Sequence, residues 1–373
     1  MRYCTNCLEP DTRPDSEFDE EGVCLPCRYF ETIDQIDWGQ RRRELDEIAA
    51  WAKERNVSGY DCIVPVSGGK DSHRQAIYCR DELGLKVLLV SCAYPPEEQT
   101  ERGAANMANL IELGFDCVYV SPGPETWRNA MSVGFRKFCN IYKSTELPLY
   151  AATPKVAIAY HIPLIIYGEN PTIAWGGSGG SKDGDASKLK YSNTLGGGDL
   201  TWLLEEGINP GRLFWYDYPS DQDIAEGGLR FIYLGYYLSD FLDFVNGEFA
   251  MAHGLSCREG DDADPEQSGN LQPYDALDCD FLIPNQMLKS VKFGFGKVSD
   301  QCSVAVRWGQ LDRDEAIGLL QKYDGKCAPR YIEQFCRYIG ISEEEFWTIA
   351  ERYRNHDVWV GDGNDWRLRN PVG

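Results

Sequence analysis

The chain has 373 residues, 43% of them apolar, enough for one large α/β domain with additions or for two domains. Its 37 Lys and Arg face 59 Asp and Glu, a formal charge of −22, so its surface repels phosphate backbones and counts against a tRNA or DNA substrate. The most apolar stretches, 156–167 and 231–245, are broken by His161 and Pro163 or by Asp240 and Asp243, short of the ~20 apolar residues of a membrane span.

The first eleven residues include Cys, Asn, Glu and Asp and lack the apolar core of a signal peptide. A cytoplasmic protein is expected, with no membrane and no nucleic-acid partner. In a reducing compartment its 14 Cys should be thiols or metal ligands. Residues 1–35 read as a Cys-rich head. Residues 41–55 have the period of an amphipathic helix, with Leu45, Ile48, Ala49 and Ala52 on one face. Alternating strands and helices follow: a strand over 61–66, a helix over 72–83 closed near Gly84, a strand over 86–93, a helix over 98–113 ended by Gly114, and a strand over 116–120. Another helix closes at 156–161, and a strand runs over 164–167. Repeated β-α-β with continuous apolar strands predicts an α/β fold with a doubly wound parallel sheet over 36–253.

Two stretches have the composition of linkers or lids: the Gly/Ser/Lys-rich 176–188 and the acidic 254–280, which is expected as a flexible loop. The remainder, 281–373, is expected to be helical and to complete the substrate site. Asp312 with Glu315, and Ser342 with Glu345, fit capping boxes that open amphipathic runs.

The strand at 62–66 runs directly into Ser67-Gly68-Gly69-Lys70-Asp71-Ser72, and a helix follows. Glycines allow close backbone approach, the two serines offer hydroxyls, and the helix start presents free N–H groups to an anion. Lys70 adds a mobile charge, and Asp71 can orient Mg²⁺ or a loop amide. Neither a Walker A loop nor a dinucleotide fingerprint occurs. Beyond the strand at 164–167 come Gly168, Glu169 and Asn170, placed where an open α/β sheet binds ligands; Glu169 could hold Mg²⁺. Ser91 and Cys92 end the second strand and could line an adenine pocket.

In the head, Cys4-x-x-Cys7 and Cys24-x-x-Cys27 have the spacing of a tetrahedral Cys₄ zinc site. Four thiolates leave no open coordination position, so such a zinc is structural, and its binding would supply folding energy that so small a head lacks. An iron–sulfur cluster or a redox pair is the alternative. The other ten Cys lie in apolar runs and read as packing residues.

Ser67–Ser72 between strand and helix resembles the PP-loop of the N-type ATP pyrophosphatases, a Rossmann-like (HUP-type) fold. A narrower resemblance is carried by Tyr3-Cys4-Thr5-Asn6-Cys7, Pro10-Asp11-Thr12-Arg13-Pro14, Phe18–Cys24, Lys292-Phe293-Gly294-Phe295-Gly296-Lys297 with Asp300, and Arg313 to Gly325. Together these are similar to the N-acetyl sugar amidotransferase family of lipopolysaccharide and flagellin-sugar pathways. The resemblance implies that ATP activates the oxygen of a sugar acetamido group. AMP and pyrophosphate are released, and ammonia gives an acetamidino group. It implies a nucleotide-activated N-acetyl sugar as substrate, with Lys292 or Lys297 neutralising developing charge. It also implies a glutaminase similar to the histidine-pathway one, with a cyclase-like partner, as the ammonia source. A tRNA thiolase would share the PP-loop and the zinc head, but needs a basic face. A non-enzymatic docking module is a third reading, which the intact loop disfavours.

Overall fold

Alternation along each strand sets the layers. The computed structural model describes residues 1–176, 180–192, 194–363 and 365–373. Helix α1 (Trp38–Glu54) leads into β1 (Cys62–Pro65), α2 (Lys70–Asp81), β2 (Val87–Cys92), α3 (Glu101–Glu112), β3 (Asp116–Val120), α4 (Pro124–Phe138), α5 (Glu146–Tyr160) and β4 (Leu164–Tyr167). Then come β5 (Arg230–Tyr233) and α6 (Asp243–Ala252). Ile63, Leu88, Val90, Ile165 and Phe231 point to one face of the sheet and pack on α4 and α5, with Trp127, Met131 and Val156. Cys62, Val64, Leu89, Leu164 and Ile166 point to the other and pack on α1, α2 and α3, with Leu45, Ile48, Ile77 and Leu110. Both faces of the sheet are therefore covered, as continuous apolar strands require.

The five strands pair in parallel in the order β3-β2-β1-β4-β5. The chain moves outward from β1 in one direction and returns for β4 and β5 on the other side. The switch point between β1 and β4 opens a crevice at the carboxyl ends of those strands. Residues 67–72 follow β1 and residues 168–170 follow β4, so the two expected site segments share this crevice. The doubly wound parallel sheet is as expected.

Three parts differ from the sequence reading. Strand β5 lies in a stretch read only as an apolar run. The 176–188 stretch falls partly outside the described residues, at 177–179; beyond it Gly184 and Ala186 hydrogen-bond to Tyr233 and Phe231, so the chain runs along the open edge of β5. The 254–280 segment is not a free loop. Arg258 is buried and donates from Nε to the Asp275 carbonyl (3.2 Å) and from Nη2 to Asp280 (3.0 Å). Asn106 of α3 exchanges two hydrogen bonds with the Ser256 backbone. Side-chain to backbone bonds of this kind leave no periodicity for a sequence pattern to register.

Past residue 281 the chain is helical: α7 (Leu282–Phe293), α8 (Lys297–Arg307), α9 (Arg313–Tyr323), α10 (Pro329–Ile339) and α11 (Glu343–Arg352). Asp312 and Ser342 each accept the backbone N–H three residues on, the expected N-caps of α9 and α11. Phe335 and Phe346 of this region join the core beneath α4, which welds the helices to the sheet. Among the described residues no helix is long and apolar enough to cross a membrane.

Candidate active site and metal centre

Gly68 has φ +86°, and a Cβ there would come within 3.2 Å of Met107, so glycine lets the loop turn tightly over α3. Ser67 donates its backbone N–H to Ser72 Oγ (3.1 Å), closing the loop. Gly69 is the N-cap of α2 and offers no side chain to its first-turn N–H groups. Those donors and the positive end of the helix face a cavity lined by Ser67, Gly69, Asp71, Ser72, Cys92 and Glu169. This arrangement can hold an anion.

Lys70 is not the mobile cation expected. It is 5% exposed and lies between Asp243 (2.7 Å), Asp71 (2.9 Å) and Asp275 (3.7 Å). Burial works against its charge, but Asp243, Asp71 and Asp275 hold its pKa well above the ordinary lysine value. Lys297, the first residue of α8, bonds Asp275 at 2.5 Å and is likewise raised, Asp275 and Asp243 overcoming burial. Asp71 also accepts from Asn246 of α6 (2.8 Å). The segments 67–72, 243–246, 275 and 297 thus meet in one charged cluster.

Glu169 stands at the edge of that cluster. Burial, then the adjoining Asp71 carboxylate, raises its pKa to about 8. Near neutrality Glu169 is largely protonated, so Asp71, Asp243 and Asp275 face Lys70 and Lys297 with one negative charge in excess, and ionising Glu169 brings the excess to two. That is the charge of one divalent cation, and oxygen donors are what Mg²⁺ takes, so Asp71 and Glu169 fit a magnesium site.

Three cavities meet at Glu169. One contains the 67–72 loop, one lies beneath Trp38 and Asp243, and the third is a larger cavity of about 700 Å³ lined by Arg13, Lys143, Lys289, Lys292 and Lys297. Lys292 is partly buried. It donates to the Phe138 carbonyl (3.2 Å), and among the described residues no carboxylate pairs with it. Burial lowers its pKa. Asp15, Glu146, Glu169 and Asp300 line this cavity too, but Asp300 is paired with Arg13 and Lys289, and burial raises Glu146 and Glu169 toward their neutral forms, so the basic side chains outweigh the acidic ones and suit an anionic ligand.

The remaining expected residues are placed as follows. Gly168 packs over Gln75 of α2 and accepts from the Gly235 N–H. Asn170 caps the short helix 171–175 and also binds Ser181 through both amide atoms, so its side chain is used in holding the loop. Cys92 lines the loop cavity. Ser91 is buried within β2 and does not line it. Sequence reasoning missed Asp243, Asn246 and Asp275, because nothing local marks an aspartate that meets a lysine about 170 or more residues away.

In the head, the sulfurs of Cys4, Cys7, Cys24 and Cys27 lie within 4.8 Å of one another and are buried. Cys4 and Cys27 are 3.8 Å apart, Cys7 and Cys24 3.7 Å. A tetrahedron with Zn–S of about 2.3 Å has edges of about 3.8 Å, so the cluster can hold a metal such as zinc. The Cys24 and Glu9 N–H groups donate to Cys4 and Cys7 sulfurs. Arg307 of α8 reaches Cys7 Sγ, and Arg313 of α9 binds the carbonyls of Cys4 and Cys7. The head is therefore docked on the C-terminal helices. Arg13, between Glu9 and Asp300, adds a buried salt-bridge link, continued by Lys289 on Asp300 (2.6 Å).

No curated protein matches the chain. Residues 273–371, about a quarter of it, match the model for the C-terminal domain of LPS biosynthesis protein WbpG-like. The matched stretch contains Asp275, Lys292, Lys297 and Asp300 and contacts the head through Arg307 and Arg313. It agrees with the amidotransferase resemblance carried by the motifs at both ends of the chain. Over this region the chain is similar to the C-terminal domain of WbpG-like LPS biosynthesis proteins, which supports a role in LPS sugar biosynthesis.

Proposed function

We propose that this chain is an ATP-dependent amidotransferase that converts an acetamido group on a nucleotide-activated sugar into an acetamidino group. The observation that carries the reading is the meeting of three cavities at Glu169: an anion cradle on one side and a cationic cavity for an acceptor on the other. An amide carbonyl is a poor electrophile. Its oxygen attacks the α-phosphorus of ATP, the bond to pyrophosphate breaks, and an O-adenylyl imidate forms. Ammonia adds to that carbon, and the amide oxygen departs on AMP. Residues 67–72 with the start of α2 would hold the leaving pyrophosphate. Asp71 and Glu169 would hold Mg²⁺, which neutralises phosphate charge when bound. Lys292 and Lys143 would hold the diphosphate of the acceptor and keep its acetamido group near Glu169.

The test is isotope exchange between ATP and pyrophosphate, with a panel of UDP-linked 2-acetamido sugars compared against bulk tRNA. Exchange with one of the sugars, and AMP as the stoichiometric nucleotide product once ammonium is added, is the expected result. ADP as product, or exchange driven by tRNA, overturns the reading. Asp71→Ala should lower AMP formation roughly 100- to 1,000-fold, the usual cost of one preorganised contact to a charged transition state.

A further inference from the structure

On the other side of α4's first turn lies a second polar cavity, about 840 Å³, lined by six carboxylates and by Arg102, Arg128 and Arg337. Asp262 and Asp280 are occupied by Arg102, and Glu97 by Arg128, which leaves Glu98, Glu101 and Glu259 against Arg337 and gives the groove a negative sign. Glu98 is its inner wall. It sits not in α3, as the sequence period implied, but in the turn before it, and is 5% exposed. Trp127 Nε1 donates to one carboxyl oxygen (2.6 Å) and the Cys279 thiol to the other (3.1 Å). Tyr338 also lines the groove. It is 9% exposed, and its hydroxyl has no hydrogen-bond partner among the described residues.

Behind Glu98 the groove is one layer of side chains from the active cavity. Cys279 is fully buried and adjoins Tyr142. Tyr142, Tyr94 and Asp278 are walls of the cavity that contains residues 67–72. A polar side chain is costly to bury. Here Glu98, Cys279 and Tyr142 form a file of them from solvent to the adenylation site, in a place the hydrophobic core could have filled.

We infer that this groove is the way in for the nitrogen nucleophile: ammonium is held between Glu98 and the Tyr338 hydroxyl, gives a proton to Glu98, and passes as ammonia between Cys279 and Tyr142 to the cavity beside the 67–72 loop. The inference rests on the amidotransferase reading above. The proton balance is closed. Ammonium and the Glu98 carboxylate become ammonia and the carboxylic acid, which returns its proton to solvent through the groove. At the far end ammonia forms the new C–N bond, the C–O bond to AMP breaks, and one ammonia proton leaves with the phosphate. Burial raises Glu98 to about 7, against the hydrogen bonds of Cys279 and Trp127 and with the help of Asp278, which suits it to a proton handed over near neutrality. Two cations also line the groove: Arg128, which is held by Glu97 and lies 5.2 Å from the Tyr338 ring centroid, and Arg337.

Kinetics with ammonium chloride as nitrogen source, and with the UDP-linked sugar that supports pyrophosphate exchange, tests the route. In Glu98→Gln the exchange reaction should stay within roughly twofold of wild type, while kcat/KM for ammonium falls on the order of 100-fold at neutral pH. That defect should shrink as pH rises toward the pKa of ammonium, where free ammonia needs no base. Tyr338→Phe, which keeps the ring in place, should raise the KM for ammonium and leave exchange alone. Intact exchange with unchanged ammonium kinetics in both variants overturns the route. Absence of exchange in wild type overturns instead the amidotransferase reading on which it rests.

Discussion

Two partly buried carboxylates that line the same cavity titrate in opposite directions. Asp300, on α8, is pulled down to about 2: burial raises it, but Lys289, Arg13 and Lys297 more than offset that. Glu169, after β4, is pushed up to about 8 by burial and by Asp71. The difference is compensation. Around Asp300 the chain supplies its own cations, and the network ties the head to the C-terminal helices. Around Glu169 and Lys292 it does not supply enough opposite charge, so the acid is held toward its neutral form and the base is lowered, each at a cavity wall. Charges that the fold neutralises internally hold parts of the molecule together. Charges left for something else to neutralise mark where ligands go.

The compensated region should dominate stability, and the largest effect is expected at its metal centre. About one zinc per chain is expected, and Cys4→Ser or Cys24→Ser should lose it. Structural zinc contributes on the order of 10 kcal/mol to isolated small domains. Here Arg307 and Arg313 retain part of the docking, so the loss should be several kcal/mol, still enough to lower the melting temperature sharply. Metal analysis beside thermal melting checks this. A variant without metal that melts like wild type would show that the four thiols are not what holds the head.

How much of this was legible in advance follows the same division. Strands β1 to β4, the loop at 67–72 and the Cys₄ cluster all write themselves into the sequence locally, through an apolar run, a Gly pair or a C-x-x-C spacing. Strand β5 was not legible, because its four residues continue into apolar short helices with no break in pattern. Segment 254–280 was misread because Arg258 and Asn106 hold it by contacts to backbone, which composition cannot display. The charge cluster was half visible. Lys70, Asp71 and Glu169 stood in recognisable motifs, but the pairing of the first two depends on Asn246, Asp243 and Asp275. Those residues are brought in by the switch of the sheet and the packing of α6, and only the fold reveals that Lys70 is already occupied.

A smaller effect should come from Asp300 itself. Its folded pKa lies below the ordinary 3.8, so it contributes stability that is fully present above pH 4 and is lost as pH falls through about 2. The shift corresponds to about 2–3 kcal/mol. Asp300→Asn should remove that stability at pH 7 and flatten the acid limb between about pH 4 and pH 2. Asp324 nearby behaves oppositely. Burial raises it to about 6 despite the Gly296 and Ser299 N–H groups, so its contribution weakens the fold as pH climbs from about 4 to 6. Urea midpoints followed from pH 7 to pH 2 separate the two. An unaltered acid slope in Asp300→Asn would remove Asp300 from the compensated class.

The smallest expected change in stability is at Lys292, and its sign is the sharpest test of the comparison. Burial lowers the Lys292 pKa, so a charged Lys292 weakens the fold at neutral pH, and stability should rise as pH climbs through its folded pKa toward 10.5. Among the described residues only the Phe138 carbonyl accepts from it. Lys292→Met keeps the aliphatic length and removes the charge, so melting should stay level or improve by up to about 1 kcal/mol. The same change should cost acceptor binding about 1.5–3 kcal/mol, the worth of a hydrogen bond to a charged group, which is roughly 10- to 150-fold in the acceptor KM. A residue that only packs cannot give both results, since loss of packing lowers stability along with function. If Lys292→Met melts lower and binds the sugar as before, the unmatched charge is part of the scaffold, and an uncompensated cation is no guide to ligand sites in this molecule.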